Sequence, residues 1–341
     1  MPSISVVIPC HNEAKRLPAL LAALHGQTHP ADEIMIVNSA STDNTVQVAR
    51  NLAQQYALPL RVVDNPRATI PSSLNCGMSA VQSDIIVRLD GHCIPRPAYL
   101  EESLKALLAL EARGTWGNVG GQWQVSPGST TPIAKAIAYA VTTPLGAGDA
   151  SYRIGGQAGN VETVPFGCFR KQMWQKLGGY DEKLLSNEDY EYNTRIIQAG
   201  GSVWFTPAVQ AEYFARTTLP ELWKQYARYG FWKAQMLKIH LNSLRMRQLI
   251  PALWSLIAPC LLLVALASGM GWLPIPVICT GGSIAILGLY LLALVGYSLW
   301  GVSKRKISGA EACCLPWVYA CIHFAWGWNF WRGVFFYARQ A

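Results

Sequence analysis

Apolar residues at the start of the chain fall into short unbroken runs separated by helically spaced ones. Ile4 to Ile8 reads as a buried strand, Pro9-Cys10-His11-Asn12-Glu13 as a loop, and Ala14 to Gly26 as a helix with Leu17, Leu20, Leu21 and Leu24 on one face. The pattern then repeats as strand Glu33 to Val37, polar loop Ser39-Ala40-Ser41-Thr42-Asp43, helix Thr45 to Tyr56, strand Leu60 to Val63, helix Ser72 to Val81, and a fourth strand entered at Ile85. Strand and helix alternating at this spacing require right-handed crossovers and a mainly parallel sheet covered on both faces, an α/β domain. The polar loops after strands one, two and four then share one sheet edge, where such sheets bind nucleotide-sized ligands.

The fourth strand, Ile85-Ile86-Val87-Arg88-Leu89, runs into Asp90-Gly91-His92. A turn after Asp90 lets its carboxylate and the His92 imidazole converge, and oxygen plus imidazole suits Mn²⁺ or Mg²⁺ with a diphosphate in the open positions. The same spacing also suits an ordinary strand-ending turn with His92 a solvated loop residue. No Gly-rich phosphate loop of the dinucleotide or P-loop type occurs, which argues against a dehydrogenase and a P-loop kinase. Phosphate binding then falls to the metal and to basic side chains such as Arg67.

Charge disappears toward the C-terminus. Gln248 to Ser303 carries no charged side chain, enough for two crossings at ~20 residues each. The break at Gly271-Trp272-Leu273-Pro274-Ile275-Pro276 places spans near 252–272 and 276–300. Arg245 and Arg247 precede the first and Lys304-Arg305-Lys306 follows the second, so both flanks belong in the cytoplasm. A third apolar stretch, 312–331, is expected to span, the alternative being an interfacial helix with Arg332 and Arg339. Its His323 reads as a satisfied core residue without a chemical role. Thr131 to Gly148 is weakly amphipathic and reads either as a segment resting on the bilayer surface or as a helix packed on the globular domain.

Composition agrees with a divided chain, since 51% hydrophobic with 14% charged residues is poor in charge for a soluble enzyme of 341 residues. The net charge of +8 suits an anionic lipid surface or a phosphate-bearing substrate. Nucleic acid is disfavoured, because no basic run is interleaved with stacking aromatics. The nine cysteines show no CxxC pair or zinc spacing and read as small core residues of a reduced compartment. Ile4 to Ile8 is too short for the apolar region of a signal peptide, so the N-terminal part is expected in the cytosol.

Three stretches, Ile8-Pro9-Cys10-His11-Asn12-Glu13, Ser41-Thr42-Asp43-Asn44-Thr45 and Arg88-Leu89-Asp90-Gly91-His92, resemble the family 2 glycosyltransferases of GT-A fold. Gly167-Cys168-Phe169-Arg170, Gly178-Gly179-Tyr180-Asp181-Glu182 and Asn187-Glu188-Asp189-Tyr190-Glu191 are similar to the acceptor-side half of that family, and Asp-x-His in place of Asp-x-Asp is like its succinoglycan branch. The resemblance covers 1–240. It implies a Rossmann-like GT-A domain, 1–125 being the nucleotide-sugar half and 126–240 the acceptor half, followed by a membrane region, 249–341. It further implies that Pro9, Asn12, Glu13, Asn38, Asp43, Arg67 and Asp90 bind the nucleotide-sugar and that Asp90 and His92 hold Mn²⁺ or Mg²⁺. Asp189 would be the catalytic base, with Glu188 contacting the acceptor. The blander reading of Glu188, Asp189 and Glu191 is acidic residues favouring a helix start capped by Asn187.

Gln225-Tyr226-Ala227-Arg228-Tyr229 is similar to the family's Gln-x-x-Arg-Trp element, which implies Gln225 and Arg228 near the diphosphate and Tyr229 against an acceptor sugar. The neighbouring Trp223, Lys224, Trp232 and Lys233 also suit a juxtamembrane helix. Two departures stand out: Asn38 replaces the Asp that in relatives pairs with uracil, and Tyr229 replaces Trp. The expected protein is an inverting glycosyltransferase anchored in a bacterial inner membrane. It would move a sugar from a nucleotide-diphosphate donor, a UDP-sugar, to a lipid-linked saccharide acceptor in polysaccharide or glycolipid synthesis. Transfer to polyisoprenyl phosphate and nucleotide binding without catalysis are the alternatives.

Overall fold

Each apolar run becomes a strand that buries alternate side chains on opposite faces of one sheet. In β1 (Ile4–Cys10), Ile4, Val6 and Ile8 face the core that receives Leu17, Leu20, Leu21 and Leu24 of α1 (Leu17–His25). Val7 points the other way, to Leu74 and Met78 of α3 (Ile70–Ala80). β2 (Glu33–Asn38) repeats the division, with Ile34 and Ile36 on one face and Met35 and Val37 on the other. Burial on both faces explains why these strands read as continuous apolar runs. The computed structural model describes residues 2–272, 274 and 276–338, so Leu273, Ile275 and Arg339 lie outside the described residues.

The chain forms two compact units, Met1–Val125 with Ala150–Phe214 and Ser126–Asp149 with Ala215–Ala341. The first holds α2 (Thr45–Gln55), β3 (Leu60–Asp64), β4 (Ile85–Arg88), β5 (Ile94–Pro95), α4 (Tyr99–Ala112) and β6 (Gly117–Ser126). It continues, after α5 (Pro132–Ala140) and α6 (Pro144–Ala147) of the second unit, with α7 (Ser151–Ile154), β7 (Gly159–Asn160), β8 (Cys168–Arg170), α8 (Lys171–Leu177), α9 (Glu188–Gln198) and β9 (Ser202–Phe214). The sheet runs β3-β2-β1-β4-β8-β6-β9-β5. Its first four strands are parallel, as the crossover pattern requires, and β8 then pairs antiparallel with β4. Strand order reverses between β1 and β4, so the loops after them flank the switch point of the sheet.

The second unit contains α5, α6, α10 (Leu219–Ile239), α11 (Met246–Gly269), α12 (Val277–Ser303) and α13 (Gly309–Ala338). The boundary expected after residue 240 is therefore displaced. Small residues explain it: a Cβ on Gly230 of α10 would lie 2.1 Å from the Trp326 carbonyl of α13, and one on Gly333 would lie 2.7 Å from the Phe231 carbonyl. Such close approach locks α10 to α13. In the amphipathic segment 131–148, Ala134, Ala136, Ile137 and Ala140 of α5 are buried and α5 packs on α13.

Among the described residues two helices, α11 and α12, are long and apolar enough to cross a membrane. They start and end within six residues of the expected spans, α11 continuing through Pro251 and Pro259. The third expected span, 312–331, does not join them. It lies within α13, whose Leu315, Val318, Tyr319, Ile322, Ala325 and Phe330 are buried by other helices. His323 is satisfied, its Nε2 donating to the Leu145 carbonyl at 2.9 Å and its Nδ1 accepting from the Tyr290 hydroxyl at 2.9 Å.

Candidate active site

The loops after β1 and β2 are tied together by the residues that stood out in the sequence. Asn12 adopts a left-handed conformation (φ 56°), which turns its side-chain carbonyl onto the next loop to accept from the Thr42 and Asp43 amides at 2.8 and 3.3 Å. In return Asp43 accepts from the Ala14 and Thr45 amides, and the Thr45 hydroxyl accepts from the Glu13 amide at 2.8 Å. Asp43 is fully ionised, its pKa lowered mainly by the Thr45 hydroxyl. Asn12 and Asp43 thus build the rim rather than offer free side chains to it.

Asp90 and His92 sit beside this rim, half-buried with 25% and 33% of their side chains exposed. Gly91 between them is dictated by packing, since a Cβ there would meet Glu13 Cγ at 2.9 Å and Cys10 Sγ at 3.1 Å. The close fit brings Glu13 Oε1 to 3.1 Å from His92 Nδ1, so that Nδ1 donates and Nε2 carries the lone pair. Glu13 Oε2 is buried without a hydrogen-bond partner among the described residues. Among those residues no three His, Cys, Asp or Glu side chains form a self-sufficient metal cage. One carboxylate and one carboxylate-oriented imidazole nevertheless fit a Mn²⁺ or Mg²⁺ that completes its sphere with phosphate and water oxygens. Glu13→Gln keeps the shape and removes the charge behind the imidazole. It is expected to weaken Mn²⁺ affinity about 10-fold in the presence of UDP, read by electron paramagnetic resonance; unchanged affinity would show the contact to be incidental.

A buried guanidinium joins Asp90 to the acidic helix start. Arg88 Nη2 lies 2.8 Å from Glu188 Oε1 and 3.3 Å from Asp90 Oδ1, with Arg88 and Glu188 only 5% and 7% exposed. Burial works against the Arg88 charge, and the carboxylates of Asp90 and Glu188 outweigh it. The sequence reading gave Arg88 no role, although a cation inside an apolar strand was a visible signal. Its partner Glu188 lies a hundred residues away and was beyond reach of spacing arguments.

Asn187, with φ 64°, starts α9 by accepting from the Glu191 amide, which leaves Glu188 and Asp189 in the first turn. Asp189 accepts from the Tyr190 amide at 2.7 Å. Part of the residue reaches solvent, but burial of its carboxyl and the neighbouring Glu188 push its pKa up to about 7, against the pull of Arg88. A carboxylate tuned near neutrality is what a general base at physiological pH requires.

Other expected residues are placed differently. Arg67 is paired with Glu182, the acid of the Gly-Gly-Tyr-Asp-Glu stretch, rather than extended as a free phosphate ligand. Asn38 donates to Asp64 Oδ1 at 2.8 Å and accepts from the Ser41 amide at 3.1 Å. A carboxylate therefore does stand at this part of the rim, supplied by β3, and the sequence reading passed over it. Pro9, the last residue but one of β1, has its carbonyl against Gly91. Gln225, Arg228 and Tyr229 cluster on α10 in the second unit, Gln225 donating to the Tyr229 hydroxyl at 3.0 Å and Arg228 lying 6.0 Å from that ring.

Comparison with known proteins matches residues 5–161 to the model of "Glycosyl transferase family 2". The "Succinoglycan biosynthesis protein ExoA" of Rhizobium meliloti (strain 1021) is 30% identical over 98% of this chain and 96% of its own. The "Dolichyl N-acetyl-alpha-D-glucosaminyl phosphate 3-beta-D-2,3-diacetamido-2,3-dideoxy-beta-D-glucuronosyltransferase" of Methanococcus voltae is 24% identical over 69% of this chain and 74% of its own. Among solved structures, a "Mannosyltransferase PcManGT from Pyrobaculum calidifontis in complex with GDP-Man and Mn2+" superposes with a TM-score of 0.60 at 21% identity, over 97% of this chain and 88% of that one. That likeness establishes the fold.

Proposed function

The chain belongs to glycosyl transferase family 2 and is a glycosyltransferase, and from that premise we propose that it passes a sugar, with inversion, from a nucleotide-diphosphate donor to a lipid-linked saccharide at the membrane. The donor is a UDP-sugar, and the product feeds extracellular polysaccharide or glycolipid synthesis. The carrying observation is the Arg88 bridge, which fixes the Asp90 edge and the Glu188-Asp189 helix start against one another in a single buried network. In this reading Asp189 takes the proton from the acceptor hydroxyl as its oxygen bonds to the anomeric carbon. The bond from that carbon to the diphosphate breaks on the opposite face, and the diphosphate leaves with the electron pair. Asp90 and His92 would hold a divalent cation, which when bound would supply positive charge for the departing diphosphate. Glu188, held by Arg88, keeps the first turn of α9 rigid and aims Asp189.

The lipid acceptor is supported by α11 and α12, two helices long and apolar enough to cross a membrane, and their basic flanks, Arg245, Arg247 and Lys304-Arg305-Lys306, favour a catalytic unit on the cytosolic side of an inner membrane. The dolichyl-linked substrate in the Methanococcus relative's name supports it too. On α10, the amide of Gln225, the guanidinium of Arg228 and the ring of Tyr229 have the chemistry to hold phosphate and a sugar face. The test incubates the full-length protein in nanodiscs containing a bacterial lipid extract with Mn²⁺ and a panel of labelled UDP- and GDP-sugars. Label from a UDP-sugar is expected in the organic-extractable fraction. Label confined to free sugar for every donor would contradict the acceptor assignment, and transfer from GDP-sugars alone would correct the base.

A further inference from the structure

The loop between α8 and α9 carries an aromatic side chain that the transfer step above does not use. Tyr180 is 5% exposed, and its ring centroid lies 5.8 Å from the guanidinium carbon of Arg88. Its backbone is pinned to α3 from both sides. The Tyr180 amide donates to Asn75 Oδ1 at 2.8 Å, and the Tyr180 carbonyl accepts from Asn75 Nδ2 at 2.9 Å. Gly179 before it has φ 76° and no room for a side chain, since a Cβ would lie 2.7 Å from Asn75 Oδ1. From α9, Arg195 donates to the Leu177 and Gly179 carbonyls, each at 2.6 Å. The ring itself packs on Tyr192 with 4.7 Å between centroids, and Tyr192 packs on Phe169 at 5.6 Å. A ring held at its backbone and on its far side cannot swing away from Arg88.

We propose that Tyr180 is a positioning residue for the transfer step: its ring holds the Arg88 guanidinium in the orientation that aims Nη2 at both Glu188 and Asp90. The inference rests on the reading of Asp189 as the base and deepens it by naming what fixes the cation beside that base. Arg88 commits only Nη2 to carboxylates, at 2.8 and 3.3 Å, while Nε and Nη1 are buried with no hydrogen-bond partner among the described residues. A buried guanidinium with most of its donors unmatched gains by turning toward other acceptors. The negative face of an aromatic ring opposes that turn, because its attraction for a cation is strongest where water is excluded and is lost once the cation leaves the ring. Burial is the main cause of the raised Tyr180 pKa, and the charges that act on its phenol are Arg88, Glu188 and Asp189, so the ring stands among all three. The effect reaches the base. Burial likewise dominates at Asp189, and of the charges bearing on its carboxyl, Glu188, Arg88 and Asp90, only Arg88 favours the ionised form.

The experiment compares Tyr180→Leu, Tyr180→Phe and Phe169→Leu as full-length proteins in nanodiscs containing a bacterial lipid extract, with Mn²⁺ and the nucleotide-sugar that labels the extract. Tyr180→Leu removes the ring and lets Arg88 turn, so Asp189 holds its proton more tightly. The acid limb of kcat/KM is expected to move up by about one pH unit, a loss of about tenfold at about pH 6 that nearly vanishes at about pH 8.5. Nucleotide affinity in Mn²⁺ should stay within a few-fold. Tyr180→Phe, which keeps the ring, should return the limb to its parent position. Phe169→Leu takes a ring from the same stack without uncovering Arg88, so it should lower Tm as Tyr180→Leu does and leave the limb in place. A Tyr180→Leu protein with the parent pH profile, or a Phe169→Leu protein with the same displaced limb, overturns the proposal. Failure of the base reading shows separately, as an acid limb that survives in Asp189→Asn.

Discussion

Asp189→Asn is expected to bind donor nucleotide within a few-fold of the parent while sugar transfer falls by about 10²- to 10⁴-fold, the usual cost of a lost general base. The substitution keeps the side chain's shape and its bond from the Tyr190 amide. It leaves the Arg88 bridge to Asp90 and Glu188 in place, so the donor side is untouched. If the acidic turn only favoured a helix start, Asn would serve nearly as well as Asp, and transfer would be close to normal with at most ~1 kcal/mol lost in stability. The stability effect has a sign of its own. Because burial raises the Asp189 pKa above its unfolded value, ionising it disfavours the folded state as pH rises toward and through about 7. The Asn variant should therefore melt no lower than the parent at pH 8. A stable, donor-binding, inactive protein supports the assignment of base, and wild-type transfer ends it.

Asp90→Ala is expected to abolish metal-dependent turnover, by about 10³-fold or more, since several kcal/mol of leaving-group stabilisation depend on the cation it would hold. Chelation should produce the same loss in the parent and be reversed by Mn²⁺. The variant should stay folded, because Arg88 retains its shorter contact to Glu188 at 2.8 Å. Here donor affinity is expected to fall together with rate, which separates this variant from Asp189→Asn. Full activity in chelator, or an Asp90→Ala protein that binds Mn²⁺ and UDP normally, would sink the metal assignment.

What was legible in the sequence was local. The parallel half of the sheet followed from runs such as Ile4 to Ile8 and Glu33 to Val37, because strands buried on both faces cannot alternate with polar residues. The clustering of the His-Asn-Glu, Ser-Thr-Asp and Asp-Gly-His loops followed from topology, since strand ends on one parallel sheet share an edge. Contacts across long separations were not legible. Arg88 and Glu188, Arg67 and Glu182, and Asn38 and Asp64 are pairs whose partners no periodicity relates. The placing of α10 with the C-terminal helices was hidden for the same reason, as it depends on Gly230 and Gly333 meeting α13 and α10 at close range. The course of the third apolar stretch was not legible because burial among helices and burial in lipid select the same side chains.

The central claim, that Asp189 deprotonates the acceptor in a site joined to the metal edge through Arg88, meets its most direct test in the pH dependence of kcat/KM for sugar transfer. With the Asp189 carboxyl pushed up to about 7, only the ionised form above that pH can accept a proton. The account predicts a rate falling about tenfold per unit as pH drops below 7, with donor affinity steady across the range, and no such limb in the residual activity of Asp189→Asn. A parent profile flat from about pH 5 to 8, or the same acid limb surviving in the Asn variant, would contradict it.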